Sequence, residues 1–549
     1  MPLLIKNSMA KSLVPFNLPS EPIYWYSCGP TIYNRSHIGH ARTFICFANI
    51  KRFLESRGHN IVFAMNITDI DDKIINKVKL RHWTNIITKI RAEFTDDVFL
   101  KSWTGHVGQH ADFDITNLEI WFNTQDLKKL SIADLTPSFE IYKEFIGEME
   151  AYFWEDYDKI CSKRPDIIIR VSDMMGEMIK YIQTIIDNGY AYASNGSVYF
   201  NTAKFKTDFP NVGIDLHEEH PEDMSIKSTR NTEKKNVADF ALWKAAKKYE
   251  ISFESPWGLG RIAWHIECST MITHLFGNHI HIHSGGIDLK FPHHHNELLQ
   301  SVAWSKDPNW VDYFLHSGHI NVANSKMAQS LNNFVTIQEY LKTGSIRELR
   351  LLFATHQWDR VLDFGENVMN DVYSLDKRID AFIKHVSYLN KINKPQKQSN
   401  SLSKEDLNYL NRLVEHKKQI SDHLENNFNS LKVFSVIQSM INDTYEYLSF
   451  PNINYNFLNK YKDHILNILS LFDLEYEQPS NGDNEKEKEK NVLIETIIDI
   501  RSKIRDMTKS TSAKNDLYKL SDEIRDKIMP ALGVELADQK DNPTKWSYL

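Results

Sequence analysis

The chain is poor in cysteine: Cys28, Cys46, Cys161 and Cys268 are the only four in 549 residues. They are too few and too scattered for a disulfide framework, which leaves reduced thiols or metal ligands. No apolar run is long enough to span a bilayer, and the first stretch carries Lys6 and Lys11 without a sustained apolar core. A soluble cytoplasmic protein with no membrane partner is therefore expected. A positive excess is missing too, since the formal net charge is −7. A nucleic-acid partner is usually announced by a basic balance, so any RNA contact must use local patches. No repeat of fixed period is present. What remains, 42% hydrophobic and 25% charged residues, is ordinary globular composition with material for about three or four domains.

Pattern supplies what composition does not. The run Ile23 to Ser27 reads as a buried strand that enters the turn CGPTIYNRSHIGH. A helix should follow, with Phe44, Phe47, Ala48 and Leu54 at helical spacing and Gly58 as its C-terminal cap. A second strand at Ile61 to Met65 completes a strand-helix-strand crossover of a parallel sheet. Ligands in such sheets bind at the carboxyl ends of strands, and here those ends carry CGPT, HIGH and NITD. Residues 76 to 235 look inserted between two halves of the sheet, with a helix expected over Met174 to Ile186 and a hairpin turning at Asn195-Gly196. Strand-like runs return between 236 and 320, HIHIH among them. Beyond about 376, Leu407, Leu410, Leu413 and Val414, then Phe434, Ile437, Met440 and Ile441, mark amphipathic helices, and the stretch QPSNGDNEKEKEK reads as a solvated loop.

Two constellations carry chemistry. His37, Gly39 and His40 sit where a strand turns into a helix N-terminus, a place that favours phosphate through free N–H groups and the helix dipole. Imidazoles there can donate hydrogen bonds to a phosphoryl group as its charge builds, and glycine lets the nucleotide approach the backbone. Alone, the tetrapeptide reads more readily as two surface histidines capping a helix. The second constellation is metal-like: His293 and Glu297 lie four apart, on one side of a helix, and Cys28 and Cys268 sit in the patterned segments CGPT and WHIECS. Spacing alone does not separate a tetrahedral zinc site from buried thiols beside a helix-face salt link.

The order of the motifs goes further. CGPTIYNRSHIGHAR, NITDIDDKII, DFALWK, SPWGLGR with WHIECSTM, SGGIDLKFPHHHNE and SKMAQSLNNF follow one another as in cysteinyl-tRNA synthetases, a class I family that the chain resembles from about 24 to 375. GSVYFNTAKF and IRDKIMPALGVELAD resemble segments of the eukaryotic cytosolic members. The resemblance implies an α/β architecture: a Rossmann-like catalytic domain in two halves (1–75 and 236–320), an inserted connective α/β domain (76–235), a lysine-loop and stem-contact region (321–375) and a helical anticodon-binding domain (376–549) with a disordered loop near 478–490.

It also implies roles. Cys28, Cys268, His293 and Glu297 fall on the family's zinc ligands, where the metal takes the substrate sulfur as a further ligand. Gly29, Thr68, Trp264 and His283 fall on the amino-acid pocket, and Asp288 on an acidic position near the adenylate. His37, Gly39 and His40 fall on the ATP motif, and Lys326 opens the second one, whose loop stabilises departing pyrophosphate. Cysteine, ATP with Mg2+ and cysteine tRNA are the implied substrates. Departures are visible. Where the family has KMSKS, this chain has KMAQS, so Gln329 replaces the second lysine; Ser284 replaces the first glycine before Asp288; and His295, expected off the ligand face, replaces an acidic residue. Two other readings stand beside this one: a synthetase-derived tRNA- or zinc-binding protein, for which Gln329 speaks, and a cysteine ligase with a small amine acceptor, against which the long C-terminal region speaks.

Overall fold

The computed structural model describes residues 3–19, 22–93, 135–213, 233–322, 325–326, 334–392, 402–451, 453–476 and short stretches between 493 and 548. The chain divides into two compact units, residues 1–365 with 424–429, and 366–423 with 430–549.

The first unit opens with an antiparallel pair, β1 (Leu4–Asn7) and β2 (Ser12–Pro15). Then follow β3 (Ile23–Ser27), α1 (Ile38–Ser56), β4 (Ile61–Ile67), α2 (Asp72–Glu93), α3 (Phe139–Ile160), β5 (Ile167–Arg170) and α4 (Met175–Asp187). The hairpin β6 (Ala191–Ser194) and β7 (Ser197–Phe200) turns at Asn195-Gly196, both at positive φ. Later come β8 (Ala241–Ala245), β9 (Gly260–Ile262), α5 (Trp264–Phe276), β10 (Ile280–Gly286), α6 (His295–Ser305), β11 (Val311–Ser317), β12 (Ile320–Val322) and β13 (Ser325–Lys326).

Five strands form one parallel sheet in the order β11-β10-β3-β4-β5. The apolar faces of Trp25, Tyr26, Ala64, Met65 and Ile282 are fully buried in it, as strands covered on both sides require. The edge strand β5 comes from the stretch expected as an insertion, because the short run IIIR supplies a hydrophobic strand exactly long enough to pair with Ala64 to Ile67. The hairpin β6-β7 of that stretch is continued by β8 and β9, which follow residue 235, into a four-stranded antiparallel sheet, β6-β7-β8-β9.

A short late segment also belongs to this unit. Asn427 N–H donates to the Leu4 carbonyl at 2.8 Å, its own carbonyl accepts from Gln357 and Trp358 at 3.0 Å each, and Phe428 packs on Phe53 with ring centroids 5.5 Å apart. Glu425 pairs with Arg57.

The second unit is built on helices Glu366–Ile392, Lys404–Glu425 (to His423), Ser430–Tyr447 and Tyr455–Leu471. At its core Tyr409 stacks on Tyr447 at 4.2 Å and on Tyr461 at 4.0 Å, and buried hydroxyls are satisfied by Thr444, Asp406 and the Tyr409 carbonyl. An antiparallel hairpin, Val534–Gln539 with Asn542–Tyr548, ends it; helical periodicity gave no sign of this. The loop expected near 478–490 lies outside the described residues. Among the described residues, no helix is long and apolar enough to cross a membrane.

Candidate active site

A cleft of about 440 Å³ opens at the carboxyl ends of β3, β4, β10 and β11. Its making depends on close backbone approach. A Cβ on Gly29 would lie 1.7 Å from the Asn66 carbonyl oxygen, so only glycine lets the turn after β3 pass the end of β4. The Gly29 N–H donates to Asn66 Oδ1 at 2.8 Å, and Asn66 Nδ2 donates to Thr68 Oγ1 at 3.0 Å. Thr68 in turn donates to Glu267 Oε2 at 2.8 Å, and burial raises that carboxyl well above its usual range. Gly29 and Thr68 both line the cleft, as expected of pocket residues.

At one end of the cleft stand His37 and His40. His37 N-caps α1: its Nδ1 accepts the Gly39 and His40 N–H groups at 3.1 and 3.4 Å, and His40 Nδ1 accepts the His37 N–H at 3.3 Å. The rings stack 3.7 Å apart. Burial lowers His37 to about 2, helped by His40, and lowers His40 to about 4, helped by Lys73. Both rings are neutral near pH 7. With Nδ1 used as an acceptor, the single proton of each ring sits on Nε2, which makes each a hydrogen-bond donor beside a helix N-terminus. Gly39 and Asp288 line the same cleft.

The segment expected to carry the second ATP motif leaves from β12, which pairs with β13 through Asn321 and Lys326. It returns to α1 itself: Ile38 N–H donates to the Val335 carbonyl and Ile337 N–H to the Ser36 carbonyl, each at 3.0 Å. Buried Arg42 of α1 donates to the carbonyls of Gly318, His319, Gln357 and Arg360, which fixes the approach to β12. Lys326 is described in its backbone alone, and Gln329 lies outside the described residues.

At the other end four donor atoms from distant parts of the sequence meet: Cys28, Cys268, His293 and Glu297, all buried and all within 4.8 Å of one another. The sulfurs are 3.6 Å apart, far longer than a disulfide and close to the edge of about 3.7 Å that metal–sulfur bonds near 2.3 Å give in a tetrahedron. His293 Nε2 is 3.6 Å from Cys268 Sγ and 2.8 Å from Glu297 Oε1. Its other nitrogen faces His265 Nδ1 at 3.0 Å, the outer partner that metal-bound imidazoles usually have.

The charges point the same way. Burial pushes the Cys28 thiol well above its usual range. Burial opposes charge on Cys268 as well, but the hydrogen bond with Cys28 and the His293 ring hold it down to about 6. Glu297 resists its own burial and lies at about 2 because of His293 and His283, while Glu297 carries His293 up to about 10 against burial. A thiolate and a carboxylate thus face one imidazolium in a dry pocket, a negative excess that a cation would neutralise. The residues fit zinc.

A second overlapping group, Cys28, His283, His294 and Glu297, also brings its donors within 4.8 Å. His283 and His294 are buried and do not line the cleft, whereas Cys28, Cys268 and His293 do, so the first group brings three of its donors to the cleft wall and the second only Cys28. His283, expected in the amino-acid pocket, lies a layer behind it: Nε2 meets Glu297 Oε2 at 2.7 Å and Nδ1 meets the Tyr26 carbonyl at 3.2 Å. Trp264 does line the cleft, 37% exposed and stacked on His293 at 4.3 Å. His295 is outside both groups, with Nδ1 near Asn296 Oδ1. Ser284 is explained by its partner: its hydroxyl accepts the buried Trp25 indole N–H at 2.8 Å. Asn66, Glu267, His265 and His294 escaped the sequence reading, although NITD, WHIEC and the triple histidine all held them.

A parallel sheet with a histidine pair at its first helix and a cleft at the strand ends defines a class I aminoacyl-tRNA synthetase. Solved structures share the fold: Thermus thermophilus arginyl-tRNA synthetase (TM-score 0.52, 9% identity, covering 84% of each chain) and Mycobacterium tuberculosis methionyl-tRNA synthetase in complex with methionyl-adenylate (TM-score 0.52, 10% identity, covering 83% of this chain and 90% of that one). The family model for the class I (C) tRNA synthetase catalytic domain matches residues 16–374. The cytoplasmic cysteine–tRNA ligase of Xenopus laevis is 32% identical, covering 99% of this chain and 82% of its own; that of Drosophila pseudoobscura pseudoobscura is 33% identical, covering 98% and 82%. The chain belongs to the cysteine–tRNA ligase family of class I synthetases, and is an enzyme of that class.

Proposed function

We propose that the chain joins cysteine to cysteine tRNA in the cytoplasm, in two steps at this one cleft. The cysteine carboxylate attacks the α-phosphorus of Mg2+-bound ATP, forming cysteinyl adenylate and releasing pyrophosphate; a terminal ribose hydroxyl of the tRNA then takes the cysteinyl group and AMP departs. The observation that carries this reading is the buried pair of sulfurs 3.6 Å apart, with His293 and Glu297, opening on the same cleft as the histidine pair. Cys28, Cys268, His293 and Glu297 would hold zinc, and the ion when bound offers a ligand position that a thiolate fills well and a serine hydroxyl poorly.

The remaining work falls to side chains. His37 and His40 donate from Nε2 to phosphoryl oxygens, contacts that strengthen as charge develops. Gly39 admits the nucleotide, Asp288 faces the adenylate, and Lys326 with Gln329 belongs to the loop that meets the leaving pyrophosphate. Gly29, Thr68 and Trp264 shape the amino-acid pocket, and His283 supports it by holding Glu297. Residues 76–235 serve as the connective insertion, 321–375 contact the tRNA stem, and 376–549 bind the anticodon end. The test is cysteine-dependent exchange of labelled pyrophosphate into ATP, with and without tRNA, followed by tRNA charging. Exchange without tRNA and a cysteinyl-tRNA product are expected. No exchange sinks the reading, and exchange without charging points to a small amine acceptor.

A further inference from the structure

Nucleotide triphosphates carry about four negative charges, and a site for them needs fixed positive charge as well as neutral donors. Among the described residues that line the cleft, Lys73 is the one lysine or arginine. It stands in the first turn of α2, its N–H held by Asp71 Oδ1 at 2.7 Å and its neighbours Ile74 and Ile75 buried behind it. The side chain is exposed, and its Nζ lies 5.2 Å over the ring of Tyr33, another residue of the cleft wall. Of the neighbouring carboxylates, Asp72 is taken by Lys244 at 2.8 Å and Arg261 at 2.5 Å, Asp71 accepts the Lys73 backbone N–H and feels the charge of its ammonium, and no described ion pair includes Lys73. It is close enough to His40 for its charge to disfavour protonation of that ring.

We propose that Lys73 binds the polyphosphate of the nucleotide in this cleft, giving it the positive charge that Gln329 does not bring. The ammonium rests on an aromatic face when the cleft holds no anion, a contact weaker than one with a phosphate, so nothing has to be broken before binding. A phosphodiester of the tRNA acceptor end is the other source of the same chemistry. The nucleotide is preferred because Lys73 shares the wall with the His37 and His40 donors at the head of α1. This rests on the reading of the cleft as an ATP site and not on the identity of the amino acid.

Calorimetric titration of the full chain with ATP, AMP and tRNA, for the natural protein, Lys73→Met and Lys73→Arg, tests it. Lys73→Met is expected to weaken ATP about tenfold and AMP less than twofold, with tRNA affinity and melting temperature unchanged; Lys73→Arg should keep ATP affinity. Equal losses for ATP and AMP, a lowered melting temperature as the sole change, or a loss confined to tRNA would overturn it, as would a natural protein that binds no ATP. ATP binding that depends on Lys73 in a chain without cysteine-dependent exchange would uphold Lys73 while cysteine ligation falls.

Discussion

At the thiol end of the cleft, Cys28, Cys268, His293 and Glu297 are at most 6% exposed; burial opposes charge on all four, and Cys268, His293 and Glu297 are held charged against it by their neighbours. At the end proposed for the nucleotide, the groups that can face an anion are spread over two neutral histidines, the N-terminus of α1 and Lys73. A metal donor must supply a given atom type at a given place, because coordination fixes both. A charge acting on a phosphate can be supplied from several directions. The sequence departs from its family's second lysine at Gln329, a residue we assign to the shared duty rather than to the donor cluster.

The contrast can be broken most easily at Cys268. Cys268→Ser should abolish stoichiometric zinc and cut the preference for cysteine over serine by about a hundredfold, read by metal analysis and by exchange with each amino acid. A variant that keeps both would show that the thiol end also has reserves. One layer back, His283→Leu strips Glu297 Oε2 of its buried partner and should speed zinc loss to a chelator, with affinity falling about tenfold.

Effects at the nucleotide end should be milder. Gln329→Lys is expected to raise the rate of adenylate formation roughly tenfold with little change in cysteine affinity, measured in a single turnover. No change would mean that Lys73 and its neighbours already meet the need. The smallest effect is on stability. His40 takes up a proton near pH 6.5 in the unfolded chain but only near about 4 when folded, so unfolding binds protons between those values. Its contribution is complete above pH 6.5 and is lost as the pH falls toward 4; His40→Asn should flatten that part of the melting-temperature profile.

Much of this was legible in the sequence because motifs and periodicity report local geometry. The strands at Ile23 and Ile61, the helix between them, the Asn195-Gly196 turn and the meeting of Cys28, Cys268, His293 and Glu297 follow from patterns or from a resemblance that encodes them. The layer behind the site was not legible. His283 alternates in HIHIH like any strand residue, and only the packed sheet shows that it ends under Glu297. Lys73 sat in a quoted motif without standing out, since its meaning lies in being the one lysine or arginine among the described residues that line the cleft. Ser284 looked like a loss until Trp25 supplied its partner. Nor can periodicity reveal that Leu424–Asn429, the end of a helix and the turn after it, join the first unit, a link that depends on contacts with Leu4, Phe53 and Trp358.

That late segment has a consequence for synthesis. As the chain emerges from the ribosome, the sheet, the histidine pair and the clustered Cys28, Cys268, His293 and Glu297 are already outside when Gly365 appears, yet the strip that seals Phe53 and caps the Trp358 indole is still untranslated. The first unit waits through two more helices for Asn427 and Phe428, so the last of its own contacts can close only after part of the second unit has been made.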